Sequence, residues 1–213
     1  MAANAKILDL RNILAERFPH SLVNAAGHLQ TGVSQLDGIT GGGLPKSAIT
    51  ELISSNLSAG SAALIATLLQ KACADRYFLA LVDGSDSFDA EPFDNSELRN
   101  LLWVRCRSAL EAVKSADLLL RDGNFPLVIV DVILNAASEL RKIPQTNWYR
   151  LQRLVEQVPT ACLVITRQSM VSSAQLKILL ENSWTLGNLN GEISYLPLRI
   201  QCAHHSNIRA NSA

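Results

Sequence analysis

The 213 residues suffice for one domain with a sizeable core, or for a smaller core with arms. Hydrophobic residues at 48% and charged residues at 18% exclude a disordered chain. The balance of 19 basic against 19 acidic residues excludes a global field that steers the protein to nucleic acid and leaves only local patches. Cys73, Cys106, Cys162 and Cys202 lie far apart with no CxxC pair, which fits buried thiols in a reducing compartment. No apolar run approaches the ~20 residues of a membrane span. Lys6, Asp9 and Arg11 interrupt the first apolar stretch, which argues against a secretory leader. A cytoplasmic location away from membranes is the expectation.

Residues 5–18 are predicted to be an amphipathic helix. Ile7, Leu10, Leu14 and Phe18 form its apolar stripe, and Lys6, Asp9, Glu16 and Arg17 lie mostly opposite. That stripe needs a cover, supplied either by a partner or second copy reached as a docking arm or by the protein's own sheet. Residues 19–43, with Pro19, Gly27 and the Gly41-Gly42-Gly43 run, read as linker and loop. From residue 44 strands and helices alternate: a strand at 48–53, an Ala- and Leu-rich helix at 60–75, then near-continuous apolar strands at 77–82, 126–130 and 161–165. Such strands are buried on both faces, as in a parallel sheet covered by helices. A strand at 101–106 feeds a helix that opens with Ser108 and Glu111 in capping-box spacing and stops at Gly123. A further helix follows Pro144 with Trp148, Leu151 and Val155 on one face. Residues 183–186 and 193–201 read as a terminal hairpin around Asn188-Leu189-Asn190-Gly191, and 204–213 as a loose tail. The expected organisation is an N-terminal helix and linker (1–30), a core (31–203) and a tail (204–213), in a doubly wound α/β fold with a mostly parallel sheet.

Residues 42–64, GGLPKSAITELISSNLSAGSAAL, resemble the segment of RecA-family recombinases that runs through a strand into the phosphate-binding loop. TGVSQLDGITGGGLP (31–45) resembles that family's entry loop, LVDGSDSFD (81–89) the region of its catalytic carboxylate, and LVIVD (127–131) its Walker B strand, with Asp131 at the metal-side position. The likeness spans roughly residues 30–170 and implies a RecA-like core. The departures bear on chemistry. A working loop is GxxxxGK[ST], in which glycines let backbone N–H groups approach phosphates, Lys supplies a cation and the hydroxyl binds Mg²⁺. Here Ser54 replaces the first glycine, Ala59 the second, and Gly60 stands at the lysine position; Ser61 alone keeps its type. Loss of the lysine removes a charge-assisted contact worth ~1.5–3 kcal/mol, and a Cβ at Ala59 penalises any left-handed conformation required there. Ser85 stands where the family has its catalytic Glu, with Asp86 adjacent as a substitute base. The expectation is no ATPase activity and no bound cofactor, ATP included. Asp131 is then either a helix cap or a polar relic.

Residues 139–168, ELRKIPQTNWYRLQRLVEQVPTACLVITRQ, followed by SSAQLKILLE, are similar to the SulA/ImuA group of RecA-related bacterial proteins. The shared features are a basic pair before Ile-Pro, a Trp-bearing helix and an apolar strand: Arg141, Lys142, Ile143, Pro144, Trp148 and residues 163–166. The resemblance implies a bacterial accessory factor of SOS-induced translesion synthesis that works by binding RecA, a polymerase-like partner, or both. A SulA-like cell-division inhibitor that binds the tubulin-like division protein is the alternative, and a weak ATPase related to recombinases the second. Arg141, Lys142, Arg150 and Arg153, with Arg167 nearby, are candidates for weak single-stranded DNA contact, or simply a solvated helix face. Trp148 reads as a core anchor rather than a base-stacking platform. Cys202, His204 and His205 lack a fourth ligand, so no metal is expected.

Overall fold

The computed structural model describes residues 27–56 and 59–181, and the backbone of 200–205. Its centre is a seven-stranded sheet in the order β5-β4-β6-β7-β3-β8-β9. The strands are β3 (Ala48–Ile53), β4 (Leu79–Asp83), β5 (Leu101–Arg105), β6 (Leu127–Asp131), β7 (Ala161–Thr166), β8 (Leu176–Leu180) and β9 (Ile200–His205). The first six are parallel and β9 pairs antiparallel with β8. This is the doubly wound α/β arrangement that the alternation of apolar strands and helices predicts, and it is consistent with the RecA-like type that the resemblance implies.

Every residue of β3, β4 and β7 is buried, because helices cover both faces. On one face Leu52, Leu81, Ile129 and Ile165 pack beneath Leu64, Leu68 and Ala72 of α2 (Ser61–Ala74) and Leu36 of α1 (Ser34–Thr40). On the other, Ile49, Val82, Val130 and Val164 pack beneath α4 (Ala109–Asp122) and α6 (Gln145–Val155). Alanines 109, 112 and 116 line the inner side of α4, and Trp148, fully buried, anchors α6 together with Leu151 and Val155. Ser108 caps α4 by accepting from the Glu111 N–H at 3.2 Å, while the Glu111 carboxylate takes the Arg107 N–H at 2.9 Å and not that of Ser108, so only half of a capping box forms. Gly123 closes the helix at φ 68. Two single-turn helices complete the set, α3 (Asn95–Leu98) and α5 (Ala137–Leu140).

Residues 27–43 are more ordered than their composition suggests. β1 (His28–Leu29) pairs antiparallel with β2 (Leu44–Pro45), and α1 sits between them. The organiser is Asp37. One of its carboxylate oxygens accepts from the Thr31 N–H (3.0 Å) and hydroxyl (2.7 Å), and the other from the Gly32 N–H (3.3 Å). Gly43, at φ 118, places its Cα so close to Leu29 that an added Cβ would lie 2.0 Å from the Leu29 carbonyl oxygen. Side chain-to-backbone bonds and a glycine-only approach leave no hydrophobic period to read.

β8 was also absent from the expected elements; its alternation of buried Leu176, Ile178 and Leu180 lay inside a stretch read only as a motif. Of the expected terminal hairpin, residues 183–186 lie outside the described residues. Ile200 and Gln201 open β9, whose described pairing is with β8, and the strand continues through His204 and His205. The predicted helix at 5–18 and residues 206–213 lie outside the described residues.

Candidate functional site

Strand order brings the carboxyl ends of β3, β4, β6 and β7 to one rim, the place where open α/β sheets bind ligands. The loop 54–60, which the resemblance sets against a phosphate-binding loop, leaves β3 there. The Ser54 N–H donates to the Thr166 carbonyl (2.8 Å) and its hydroxyl to the Asn56 carbonyl (3.0 Å), while the Ala59 N–H donates to Asn56 (3.1 Å). Ala59 is fully buried in the α2-side core. Gly60 takes the left-handed conformation at φ 105 and precedes the buried Ser61, first residue of α2. The expected strain at Ala59 therefore does not arise, because the positive φ falls on Gly60. Gly60, which the resemblance sets at the lysine position of a working loop, is the residue this backbone needs as glycine.

The acidic side chains on the rim are engaged by the protein itself. Asp83, 1% exposed, accepts from the backbone of Ser85 (3.2 Å), Ser87 (2.7 Å) and Phe88 (2.8 Å) and from the Trp103 indole (3.3 Å), and so folds the loop that follows β4. Asp86, the candidate substitute base, is held by both nitrogens of Arg105 at 2.5 and 2.7 Å. That hydrogen bond and charge pull its carboxyl below the usual range, opposite to what a base near neutrality needs. Arg105 in turn stacks over Trp103, 4.8 Å from the ring centre. Asp131 lies beside Asp83 in register and accepts from the Ile133 N–H at 3.0 Å. Burial above all, then the neighbouring Asp83 charge, raises its carboxyl to about 6 against the bond from Ile133. It caps no helix, since α5 starts at Ala137 with Ala136 as its cap.

Sequence reasoning missed Glu51. It is fully buried in the middle of β3 and accepts from the N–H groups of Met170 (2.7 Å) and Val171 (3.0 Å) and from the hydroxyls of Thr166 (3.3 Å) and Ser169 (3.5 Å). It also pairs with Lys177 at 2.8 Å. The available signal was a charge inside an otherwise uncharged six-residue strand, AITELI. Glu139 plays a similar part after β6. It takes the Ala109 N–H and the Asn135 amide, and Asn135 also donates to the Gly84 carbonyl at 2.8 Å.

The basic candidates lie on the turn before α6 and along α6 itself. Arg141 and Lys142 are exposed on the turn before α6, at the rim end. Arg150, two turns into α6, is bidentate to Asp117 of α4 at 2.6 and 3.1 Å, and Arg121 shares that carboxylate at 2.8 Å. Arg153 is exposed a turn further on, so roughly 12 Å of helix rise separates it from Gln145. The turn is fixed to the loop after β7, since Gln145 donates to the Met170 carbonyl and accepts from the Ser172 hydroxyl. The stripe Ile7, Leu10, Leu14 and Phe18 lies outside the described residues. Cys106 and Cys162 are buried and Cys73 half-buried, and burial pushes the Cys162 thiol up to about 12. Among the described residues no group of three metal-ligating side chains occurs, and no helix is long and apolar enough to cross a membrane. No family model and no curated protein matches the chain.

Proposed function

We propose that this chain is a non-catalytic RecA-like adaptor, acting in the bacterial cytoplasm in DNA-damage-induced translesion synthesis by binding RecA, a polymerase-like partner, or both. The observation that carries the non-catalytic reading is the state of the rim. Gly60 stands at the lysine position in a backbone conformation that favours glycine. Asp83, Asp86, Glu51 and Glu139 are bound by the protein's own N–H groups and cations. In a nucleotide-driven enzyme such groups wait for Mg²⁺, water or a γ-phosphate. Here they hold the loops after β4, β6 and β7, which suits a preformed binding surface. The specific partners rest on the resemblance of residues 137–182 to the SulA/ImuA group.

The test is co-sedimentation of the purified chain with RecA filaments on single-stranded DNA, beside a pull-down with the polymerase-like protein. Saturable binding to either supports the reading. Binding to neither, combined with inhibition of the GTPase of the tubulin-like division protein, would replace it with the cell-division alternative.

A further inference from the structure

β5 is an end strand of the sheet, with β4 on its inner side. The two run parallel in an unbroken register from Leu79↔Leu101 to Asp83↔Arg105. Two bonds that bracket this register run from the Leu79 N–H to the Asn100 carbonyl and from the Cys106 N–H to the Asp83 carbonyl, both at 2.8 Å. They fix which way each peptide group points. Leu102 and Val104 turn theirs toward β4, so Leu101, Trp103 and Arg105 turn their N–H and C=O groups away from the sheet. These outward groups have no backbone partner among the described residues. Such a row is a template for another strand, and edge strands are ordinarily blunted by proline, lysine, a bulge or an inward charge. LLWVR has no proline, lysine or bulge, and its arginine points outward to Asp86. Every residue of β3, β4 and β7 is buried, whereas no residue of β5 is, and Leu102 is 39% exposed.

We propose that β5 pairs with β5 of a second copy of this chain, antiparallel about a two-fold axis at Trp103. In this register the strand is its own complement. Trp103 meets Trp103 and Leu101 meets Arg105, so all three outward-facing residues of each copy find partners. A slip of two residues one way sets Arg105 against Arg99, and a slip the other way leaves an outward residue beyond the strand's end. Between the hydrogen-bonded pairs, Leu102 faces Val104 on the α4 side of the sheet, where Val104 already packs against the core. Apolar cross-strand pairs of this kind stabilise a ladder, and this one covers the exposed Leu102. Arg105 brings no free charge, since Asp86 neutralises it. Arg99 and Arg107 face each other past the ends of the ladder, in water that screens them. The contact is isologous, so it uses up the edge of both copies and stops at two chains. It does not depend on the adaptor reading, since it is measured on this chain alone.

The experiment is sedimentation equilibrium on the full chain, with cross-linking to read the register. The wild type should rise with concentration from the 23.1 kDa of one chain to twice that mass and no further. Leu102→Lys sets a charge against Val104 of the other copy at an exposed position. It should weaken the dimer by roughly tenfold, because two symmetry-related Leu–Val contacts are lost, and circular dichroism checks that it is folded. Residues 102 and 104 of opposite copies form a non-hydrogen-bonded pair with Cα atoms about 4.5 Å apart, within the roughly 4.4–6.8 Å that a disulfide spans. Chains carrying Leu102→Cys mixed with chains carrying Val104→Cys should therefore give on oxidation a 102–104 disulfide in excess over 102–102 and 104–104, as mapped by mass spectrometry. A wild type that stays at one chain at every soluble concentration, or that grows past two, would overturn the proposal. So would a folded Leu102→Lys that dimerises as the wild type does, or a mixture without excess of the 102–104 bond.

Discussion

Replacing Asp131 by Asn should stabilise the protein at neutral pH and leave it unchanged in acid. Asp131 is partly buried at the end of β6, with a single hydrogen bond from Ile133 and the Asp83 carboxylate beside it, and its carboxyl is raised from 3.8 to about 6. Between pH 4 and 6 the folded state therefore holds a proton that the unfolded chain has released. Stability changes with pH in proportion to protons bound unfolded minus protons bound folded, which is negative here, so this residue's contribution falls as pH rises. Above pH 6 the full difference applies: (6 − 3.8) × 1.36, or about 3 kcal/mol, as an upper bound. Asn keeps an oxygen for the Ile133 N–H but buries an amide that needs partners, so a net gain of about 1–3 kcal/mol is expected at pH 7. Urea denaturation followed by circular dichroism at pH 4, 5, 6 and 7 measures it. A variant that is less stable than the wild type at pH 7, or whose difference does not vary with pH, would refute the reasoning.

Glu51→Gln leaves Lys177 facing a neutral group and weakens the grip on the loop after β7. Loss of one partner of a buried pair predicts destabilisation by about 3 kcal/mol, with faster hydrogen exchange at the Met170 and Val171 amides as the specific readout. Trp148→Ala removes the largest fully buried side chain among the described residues and should cost about 3–5 kcal/mol by urea denaturation; a loss under 1 kcal/mol would mean that α6 is held elsewhere. The Cys162 thiol, fully enclosed and raised to about 12, should not react with a disulfide reagent in the native protein and should react on unfolding. Mass mapping of the labelled site checks this.

The sheet was legible because its strands announce themselves. Runs such as LVIVD and ACLVIT allow no solvent-facing side, and the caps at Ser108 and Gly123 mark the ends of α4. α1 and β1 were not legible because Asp37 and Gly43 hold them through backbone contacts that leave no 3.6- or 2-residue period. At the rim, the identities of Gly60 and Ser85 could be read directly. The destination of the remaining carboxylates could not, since the hydroxyl and N–H groups that bind Glu51 lie 115 to 120 residues away and are set by strand order. The same limit hid the ion pair of Arg150, whose partner Asp117 is on a different helix.

The central claim is that the nucleotide machinery is lost, and steady-state phosphate release with saturating MgATP, with and without single-stranded DNA, tests it most directly. Release at the level of a protein-free control in both conditions is predicted, with Asp131→Ala indistinguishable from the wild type. Turnover at rates ordinary for a RecA-like ATPase that vanishes in Asp131→Ala would contradict the claim.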